Sequence, residues 1–255
     1  MKFVSLGSGS RGNATLVEYQ NHVILIDSGF SRKVLLQRIE QAGVQPTQLQ
    51  AAFVTHEHSD HAKGIVALCE HLQIPFYASF GTARRMDWTR HTLWRCIQSD
   101  EPVAVQGMSV MPVVVPHDAD EPLQFVIENA EGRRLGILSD LGSLTPHIVE
   151  QYQACHALQV EANHDPVRLQ NGPYPPKLRA RVAGAYGHLS NEQCADFIRR
   201  VRWPGLQYVT AGHISEKNND RALVAQALSQ ALDCAPDEVC MLAQDEISDW
   251  YSLTS

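Results

Sequence analysis

The sequence predicts an α/β chain folded as an αββα sandwich, and three observations carry that expectation. Residues 2–27 read as a strand meander, residues 108–138 as a second strand-rich stretch, and from residue 139 onward strands alternate with amphipathic helices. Two β-rich halves with interspersed helices bury their apolar faces most simply as two packed sheets with helices outside. The 255 residues contain no repeat, low-complexity tract or composition break, so a single domain over 1–255 is expected. With 44% hydrophobic and 19% charged residues, 16 Gly and 13 Pro, the chain has the composition of a globular protein with a real core.

Residues 2–6, 14–19 and 22–27 are strands, the last two joined at Gln20-Asn21, a two-residue turn suited to a hairpin. Residues 31–42 carry Val34, Leu35 and Ile39 at helical spacing behind a Ser cap and stop at Gly43. A short buried-type strand, 51–55, runs directly into His56. Helix 63–72, strand 75–78 and helix 81–94 follow. Strands 108–115, 123–128 and 134–138 have turn chemistry between them, notably Glu131-Gly132. Beyond them come helix 146–153, strand 157–161, a Gly/Pro-rich loop at 171–176, helix 190–201, strand 207–211, helix 221–232 and a last strand at 238–242.

A net charge of −7 argues against a protein that coats nucleic acid through bulk positive charge, but the charge is unevenly spread. Arg168, Lys177, Arg179, Arg181, Arg199, Arg200 and Arg202 face only Glu192 and Asp196 in the same stretch, and Arg84, Arg85, Arg90 and Arg95 form a second basic cluster. Residues 232–250 carry six acidic residues and no Lys or Arg. A localised basic face on an acidic chain suits a local phosphate array. The six cysteines are scattered without a CxxC pair, which indicates neither a zinc ribbon nor a disulfide framework. The start of the chain lacks the apolar core of a signal peptide, and no apolar run approaches the roughly 20 residues of a membrane span, so a cytoplasmic location is expected.

The strongest chemical signal is His56-Glu57-His58-Ser59-Asp60-His61 directly after a strand. Neighbouring imidazoles and a carboxylate in one tight loop desolvate one another unless a cation compensates. His117, Asp140 and His213 also stand where strands end, and Asp27 follows an early strand. Strand ends are where side chains converge on a shared site. His22, His71, His91, His147 and His156 have no partners at ligand spacing.

This pattern, HxHxDH after a strand, then a lone His, a lone Asp and a final His, resembles the metallo-β-lactamase superfamily. The resemblance covers nearly the whole chain and implies an αββα fold with a dinuclear metal site at one edge of the two sheets. It implies that His56, His58 and His117 hold one divalent metal ion and that Asp60, His61 and His213 hold the second. Asp140 would bridge the two, and Asp27 would orient the cluster from behind. Asp140 stands where the true β-lactamases carry Cys, and His58 where the oxygen-reducing di-iron branch carries Glu, so a two-metal hydrolase is implied. Zinc, manganese and iron all suit such a nitrogen and oxygen donor set. A metal pair bridged by carboxylate and hydroxide suits attack on phosphorus.

Three further elements narrow the resemblance. Ser8-Gly9-Ser10-Arg11-Gly12-Asn13 is a small-residue loop whose backbone N–H groups are suited to cradling a terminal phosphate. Glu161-Ala162-Asn163-His164-Asp165 and Gly187-His188-Leu189-Ser190-Asn191 are the other two, with Ser190 and Gln193 also forming a plausible capping box. Together they resemble the YycJ/WalJ-type branch, single-domain proteins with 5′→3′ exonuclease activity on DNA, and more loosely the motifs of the tRNA 3′-processing endonuclease. The resemblance implies that His188 is the general acid, with Glu161 as its orienting partner, and that Asp60 belongs to the catalytic set. Substrate contacts are expected from Ser8, Ser10, Gly12, Asn13, His164, Asp165, Ser190 and Asn191. Lys177, Arg179 and Arg181 add charge, and Tyr174 one stacking surface. Too few residues separate Asp140 from His213 for the cap domain of ribonuclease J, and no long arm of the tRNA-clamping kind is present. A glyoxalase-II-like thioesterase and a non-enzymatic metal-binding regulator are the alternatives.

Overall fold

The computed structural model describes residues 1–254, which divide into two compact units. The first comprises Met1–Val114, Ala119–Arg133 and the C-terminal segment from Ala243; the second comprises Val115–Asp118 and Arg134–Leu242.

The first unit opens with the meander β1 (Lys2–Gly7), β2 (Ala14–Tyr19) and β3 (His22–Ile26), all antiparallel. Gln20 and Asn21 both have positive φ, 51° and 66°, the geometry of a hairpin turn whose twist matches its strands. Helix α1 (Arg32–Gln41) starts where Ser31 Oγ accepts from the Val34 N–H. Strand β4 (Leu49–Phe53) adds parallel to β3, followed after α2 (Ser59–Ala62) and α3 (Ile65–Leu72) by β5 (Phe76–Ala78). Helix α4 (Phe80–Arg85) leads to the parallel strand β6 (Trp94–Cys96). The sheet thus runs from a short strand at Tyr251–Ser252 through β1, β2, β3, β4 and β5 to β6. Leu16 and Leu25 from the sheet, Leu35 and Ile39 from α1, and Ile65 and Leu68 from α3 form its fully buried core. An antiparallel ribbon of β7 (Val103–Val105), β8 (Met108–Val114) and β9 (Leu123–Asn129) completes the unit.

The second unit is built on four parallel strands: β10 (Arg134–Leu138), β11 (Ala157–Glu161), β12 (Tyr208–Gly212) and β13 (Cys240–Met241). Parallel pairing requires crossovers. Helix α5 (Pro146–Gln151) supplies the first, α6 (Pro166–Asn171), α7 (Pro176–Val182) and α8 (Asn191–Val201) lie in the second, and α9 (Arg221–Leu232) in the third. Tyr152 is wholly buried, donates to the Ile137 carbonyl at 2.6 Å, and meets Phe197 edge-on. Gly136 makes room for it, since a Cβ there would lie 2.6 Å from the ring. Because the strands are parallel, their C-terminal ends share one edge, and Asp140, Glu161 and His213 all fall there.

Three expected elements differ. The helix at 81–94 is only Phe80–Arg85, because Asp87 turns left-handed at φ 57° and Trp88 is buried, after which Trp94–Cys96 is strand. The helix at 63–72 begins at Ile65, because Gly64 donates to the Ser28 carbonyl and a Cβ there would lie 2.1 Å from the Phe30 carbonyl. The loop at 171–176 is a short link between α6 and α7, each of which starts with Pro in its first turn.

Candidate metal centre

Three site residues sit at strand-end corners in the left-handed region: Asp27 (φ 62°) after β3, Asp140 (φ 52°) after β10 and His213 (φ 49°) directly after β12. Non-glycine residues adopt this conformation sparingly, Asp and His more readily than most, and it concentrates at functional sites.

In the first unit Thr55 is the hub. Its N–H donates to Asp27 Oδ1 at 2.8 Å, and its hydroxyl lies 3.0 Å from both Asp27 oxygens, 3.0 Å from His56 Nδ1 and 3.3 Å from His61 Nδ1. Asp27 Oδ2 accepts from His61 Nδ1 at 2.8 Å. His61 Nε2 then keeps its lone pair and faces Asn13 Nδ2 at 3.1 Å. His56 Nε2 and His58 Nδ1 are 3.0 Å apart. The loop is clasped from behind: Asn13 N–H donates to the Asp60 carbonyl, Ser28 N–H to the His61 carbonyl, and a Cβ on Gly29 would lie 1.8 Å from the Asp60 oxygen. Glu57 is an anchor rather than a ligand, since its carboxylate accepts from the Asp120 N–H and the Thr82 hydroxyl.

In the second unit Glu161 is the hub. One oxygen accepts from the Leu189 N–H at 2.7 Å; the other lies 2.8 Å from His213 Nδ1, 3.0 Å from His188 Nδ1 and 3.1 Å from the Asp140 N–H. Burial alone would raise the Glu161 pKa, but the charge of His188 and the hydrogen bonds from both imidazoles hold the carboxyl well below the usual carboxylate range. Burial likewise opposes the charged form of His188, yet the charge and hydrogen bond of Glu161, with Asp140, raise its pKa. Donor atoms of Asp140, Glu161, His188 and His213 all lie within 4.8 Å of one another. His117 Nδ1 donates to the Gly187 carbonyl at 3.1 Å, so the loop that carries His188 also orients His117. Gly142 presses against that loop, where a Cβ would lie 2.3 Å from both the Gly184 oxygen and the Gly187 nitrogen.

One rule unites the imidazoles. His56, His61, His117, His188 and His213 each commit Nδ1 to a protein oxygen, so coordination or proton donation falls to Nε2. His58 alone turns Nδ1 toward its neighbour. A separation of 3.0 Å between two imidazole nitrogens is near what two ligands of one ion with bonds of about 2.0–2.1 Å require. In each unit, buried imidazoles oriented by oxygens behind them and a neighbouring carboxylate, Asp60 in the first and Asp140 in the second, are donors of the kind that suits a divalent metal.

In the loop expected to cradle a phosphate, five of the six backbone N–H groups from Ser8 to Asn13 have protein acceptors. Ser8 N–H donates to the Ala243 carbonyl, Gly9 to Asn13 Oδ1, Arg11 to Gln244 Oε1, Gly12 to the Gly9 carbonyl and Asn13 to the Asp60 carbonyl. The loop spends its N–H groups closing on itself and on the C-terminal segment, with Ser10 and Arg11 exposed at its tip. Ser190 and Asn191, also expected at the substrate, have structural partners. Ser190 caps α8 in a box with Gln193, and Asn191, 3% exposed, pairs with Asn219 in a buried amide network. Asp165 caps α6, accepting from the Arg168 N–H, and His164 is buried with its carbonyl accepting from Asn191. Tyr174 is half-buried beneath the Lys217 ammonium; Arg179 donates to the Gln170 carbonyl, Arg181 pairs with Asp118, and Lys177 is exposed. The sequence reading missed Thr55, because a Thr at a strand end is ordinary, and it missed the second duty of Glu161, because nothing in the spacing couples it to His213.

The family model for the beta-lactamase superfamily domain matches residues 22–214. Exodeoxyribonuclease YycJ of Bacillus anthracis is 30% identical over 237 residues, which are 91% of this chain and 89% of that protein. Exodeoxyribonuclease WalJ of Streptococcus pneumoniae is 28% identical over 91% of this chain and 88% of its own length. Among solved structures, the metallo-beta-lactamase fold protein YhfI from Bacillus subtilis superposes with a TM-score of 0.73 at 13% identity, covering 97% of this chain and 98% of that one. Zn(2+)-bound PqqB from Methylobacterium extorquens reaches a TM-score of 0.70 at 16% identity, covering 98% of this chain and all of that one. These likenesses show the metallo-β-lactamase fold. With the donor set above, they make the chain a hydrolase that belongs to the metallo-β-lactamase superfamily, in its YycJ-type branch.

Proposed function

We propose that this protein is a metal-dependent 5′→3′ exonuclease acting on DNA ends, working as one domain in the cytoplasm. The observation that carries the reading is Glu161, which holds a ligand imidazole, His213, and a second imidazole, His188, through the same oxygen. A hydrolase of thioesters needs only the first; departure of a sugar alkoxide also needs a proton donor. The relatives named as exodeoxyribonucleases, similar along nine tenths of the chain, support the same reading.

His56, His58, His117, Asp60, His61, Asp140 and His213 would hold the divalent ions. Zinc, manganese and iron suit these donors. Bound there, the ions would polarise the phosphodiester and offset charge on its non-bridging oxygens. Asp27 and Thr55 fix the rings of His56 and His61 so that little reorganisation accompanies the reaction. His188, its Nδ1 proton directed at Glu161, presents Nε2 as the nitrogen that gives a proton to the departing oxygen, and Glu161 stays charged to stabilise the imidazolium. Lys177, Arg179 and Arg181 on α7 supply charge for the backbone of the strand, with Tyr174 and His164 beside them. Ser8, Ser10, Gly12 and Asn13 shape the end-binding loop, whose tip at Ser10 and Arg11 meets the terminal phosphate. None of the six cysteines forms a disulfide among the described residues, in keeping with a reducing compartment.

The test is hydrolysis of 5′-labelled DNA and of a glutathione thioester, side by side, by protein loaded with zinc or manganese. Release of nucleotides from the DNA 5′ end is expected. Turnover of the thioester alone, or no turnover of either by a protein with metal bound, overturns the reading.

A further inference from the structure

Of the seven Phe, seven Tyr and four Trp of this chain, only Phe80 and Tyr186 are exposed among the described residues, at 52% and 64%. Singly exposed apolar side chains are ordinary on protein surfaces. The positions of these two are not. Phe80 opens α4 two residues before Thr82, whose hydroxyl donates to Glu57 between the candidate ligands His56 and His58. Tyr186 lies two residues before His188 and next to Gly187, whose carbonyl orients His117. Each exposed ring therefore sits on a segment bonded directly to the site residues of its own unit.

Both backbones are tightly held. Around Phe80, Ser79 Oγ accepts from the Thr82 N–H and donates to the Glu121 carbonyl at 2.8 Å, while Gly81 N–H donates to Glu121 Oε2 at 2.6 Å. A Cβ on Gly81 would lie 2.3 Å from the Asp120 carbonyl, so this turn is pressed against its neighbour. Around Tyr186, its carbonyl accepts from the Asp118 N–H at 3.0 Å, the Ala185 carbonyl from Ser143 Oγ at 3.0 Å, and the Gly184 carbonyl from the Gly187 N–H at 2.8 Å. Among the described residues neither ring stacks on another aromatic, meets a cation or makes a hydrogen bond, whereas Tyr174, the surface the sequence had suggested, is half-buried under Lys217. Basic side chains stand on the same element or the one before it, Arg85 and the Asp120-paired Arg84 on α4 and the Asp118-paired Arg181 on α7. A rigidly presented ring beside basic side chains is the arrangement that binds single-stranded nucleic acid, the base stacking on the ring and the phosphate meeting the charge.

We propose that Phe80 and Tyr186 are stacking platforms for unpaired nucleobases of the substrate strand, so that the enzyme engages a single-stranded or frayed end. The proposal rests on the nuclease reading. Stacking is indifferent to base identity, so the platforms give affinity and strand state rather than sequence specificity.

The experiment uses the metal-loaded protein and a single-stranded DNA whose phosphorothioate linkages resist cleavage, with 2-aminopurine at successive positions from the 5′ end. Phe80→Ala and Tyr186→Ala should each weaken binding about 5- to 100-fold. Each should also abolish the quenching of one 2-aminopurine position, while Phe80→Trp and Tyr186→Phe retain both. An abasic strand, which keeps the phosphates and lacks the bases, should bind wild type and both variants alike. Unchanged affinity for the base-bearing strand in both alanine variants overturns the proposal, and so does an equal loss on the abasic strand. Failure of the wild type to hydrolyse DNA would instead overturn the nuclease reading, because the stacking measurements need no cleavage.

Discussion

An imidazole in this protein is defined by the oxygen behind it. Thr55 and Asp27 hold His56 and His61 by Nδ1, Gly187 holds His117, and Glu161 holds His188 and His213. Replacing such a partner leaves the ligand in place but frees its ring, and typically costs 10- to 100-fold in metal affinity. Thr55→Val should therefore lower zinc affinity by roughly that factor in a metal titration, and Thr55→Ser should restore it. Unaltered affinity in Thr55→Val would contradict the orienting role of the Thr55 hydroxyl. Glu161→Gln should act on two functions at once, weakening metal retention through His213 and slowing DNA hydrolysis through His188; a loss confined to one would separate the roles. The candidate ligands could be named from the sequence, since few explanations other than a metal account for His56, His58, Asp60 and His61 in six residues. Thr55, Asn13 and Glu57 were not, because their roles depend on which atoms meet in space.

Elements deliver these residues through corners rather than through their regular interiors. The strands expected at 22–27, 157–161 and 207–211 lie at 22–26, 157–161 and 208–212, and the helix expected at 221–232 is found there, capped by Asp220. The helices at Pro166–Asn171 and Pro176–Val182 were hidden because Pro and Gly read as loop, although Asp165 before Pro166 is a helix-start signal. Capping is measurable at α8: Ser190→Ala removes the acceptor for the Gln193 N–H and should cost about 1 kcal/mol, seen as a lower midpoint in denaturant. Gly187 bears more. A Cβ there would lie 2.2 Å from the Val182 carbonyl and 2.3 Å from that of Arg181, so Gly187→Ala should destabilise by about 2 kcal/mol or more and displace His188. A Gly187→Ala protein with wild-type stability would contradict that packing.

At the scale of the whole molecule, each unit gathers buried imidazoles and carboxylates, His61 with Asp27 in the first and His213 with Asp140 and Glu161 in the second, an arrangement that is costly without a cation. Chelation should therefore lower the unfolding temperature, and zinc or manganese should restore it. An ion at 1,000 times its dissociation constant contributes about 4 kcal/mol. Fold class and family were legible from the sequence because the ligand spacing runs through most of the chain, whereas the engaged amides of the Ser8 to Asn13 loop and the exposed rings of Phe80 and Tyr186 depend on tertiary contacts that no spacing encodes. The central claim is that His188 gives the leaving oxygen its proton while the ligands hold the metals. It is tested by comparing His188→Ala with wild type for metal content, for hydrolysis of DNA, and for hydrolysis of a phosphodiester with a nitrophenolate leaving group that needs no proton. The account predicts full metal content, a fall of about 10²- to 10⁴-fold on DNA and a much smaller fall on the activated ester. Loss of metal, or an equal fall on both substrates, would contradict it.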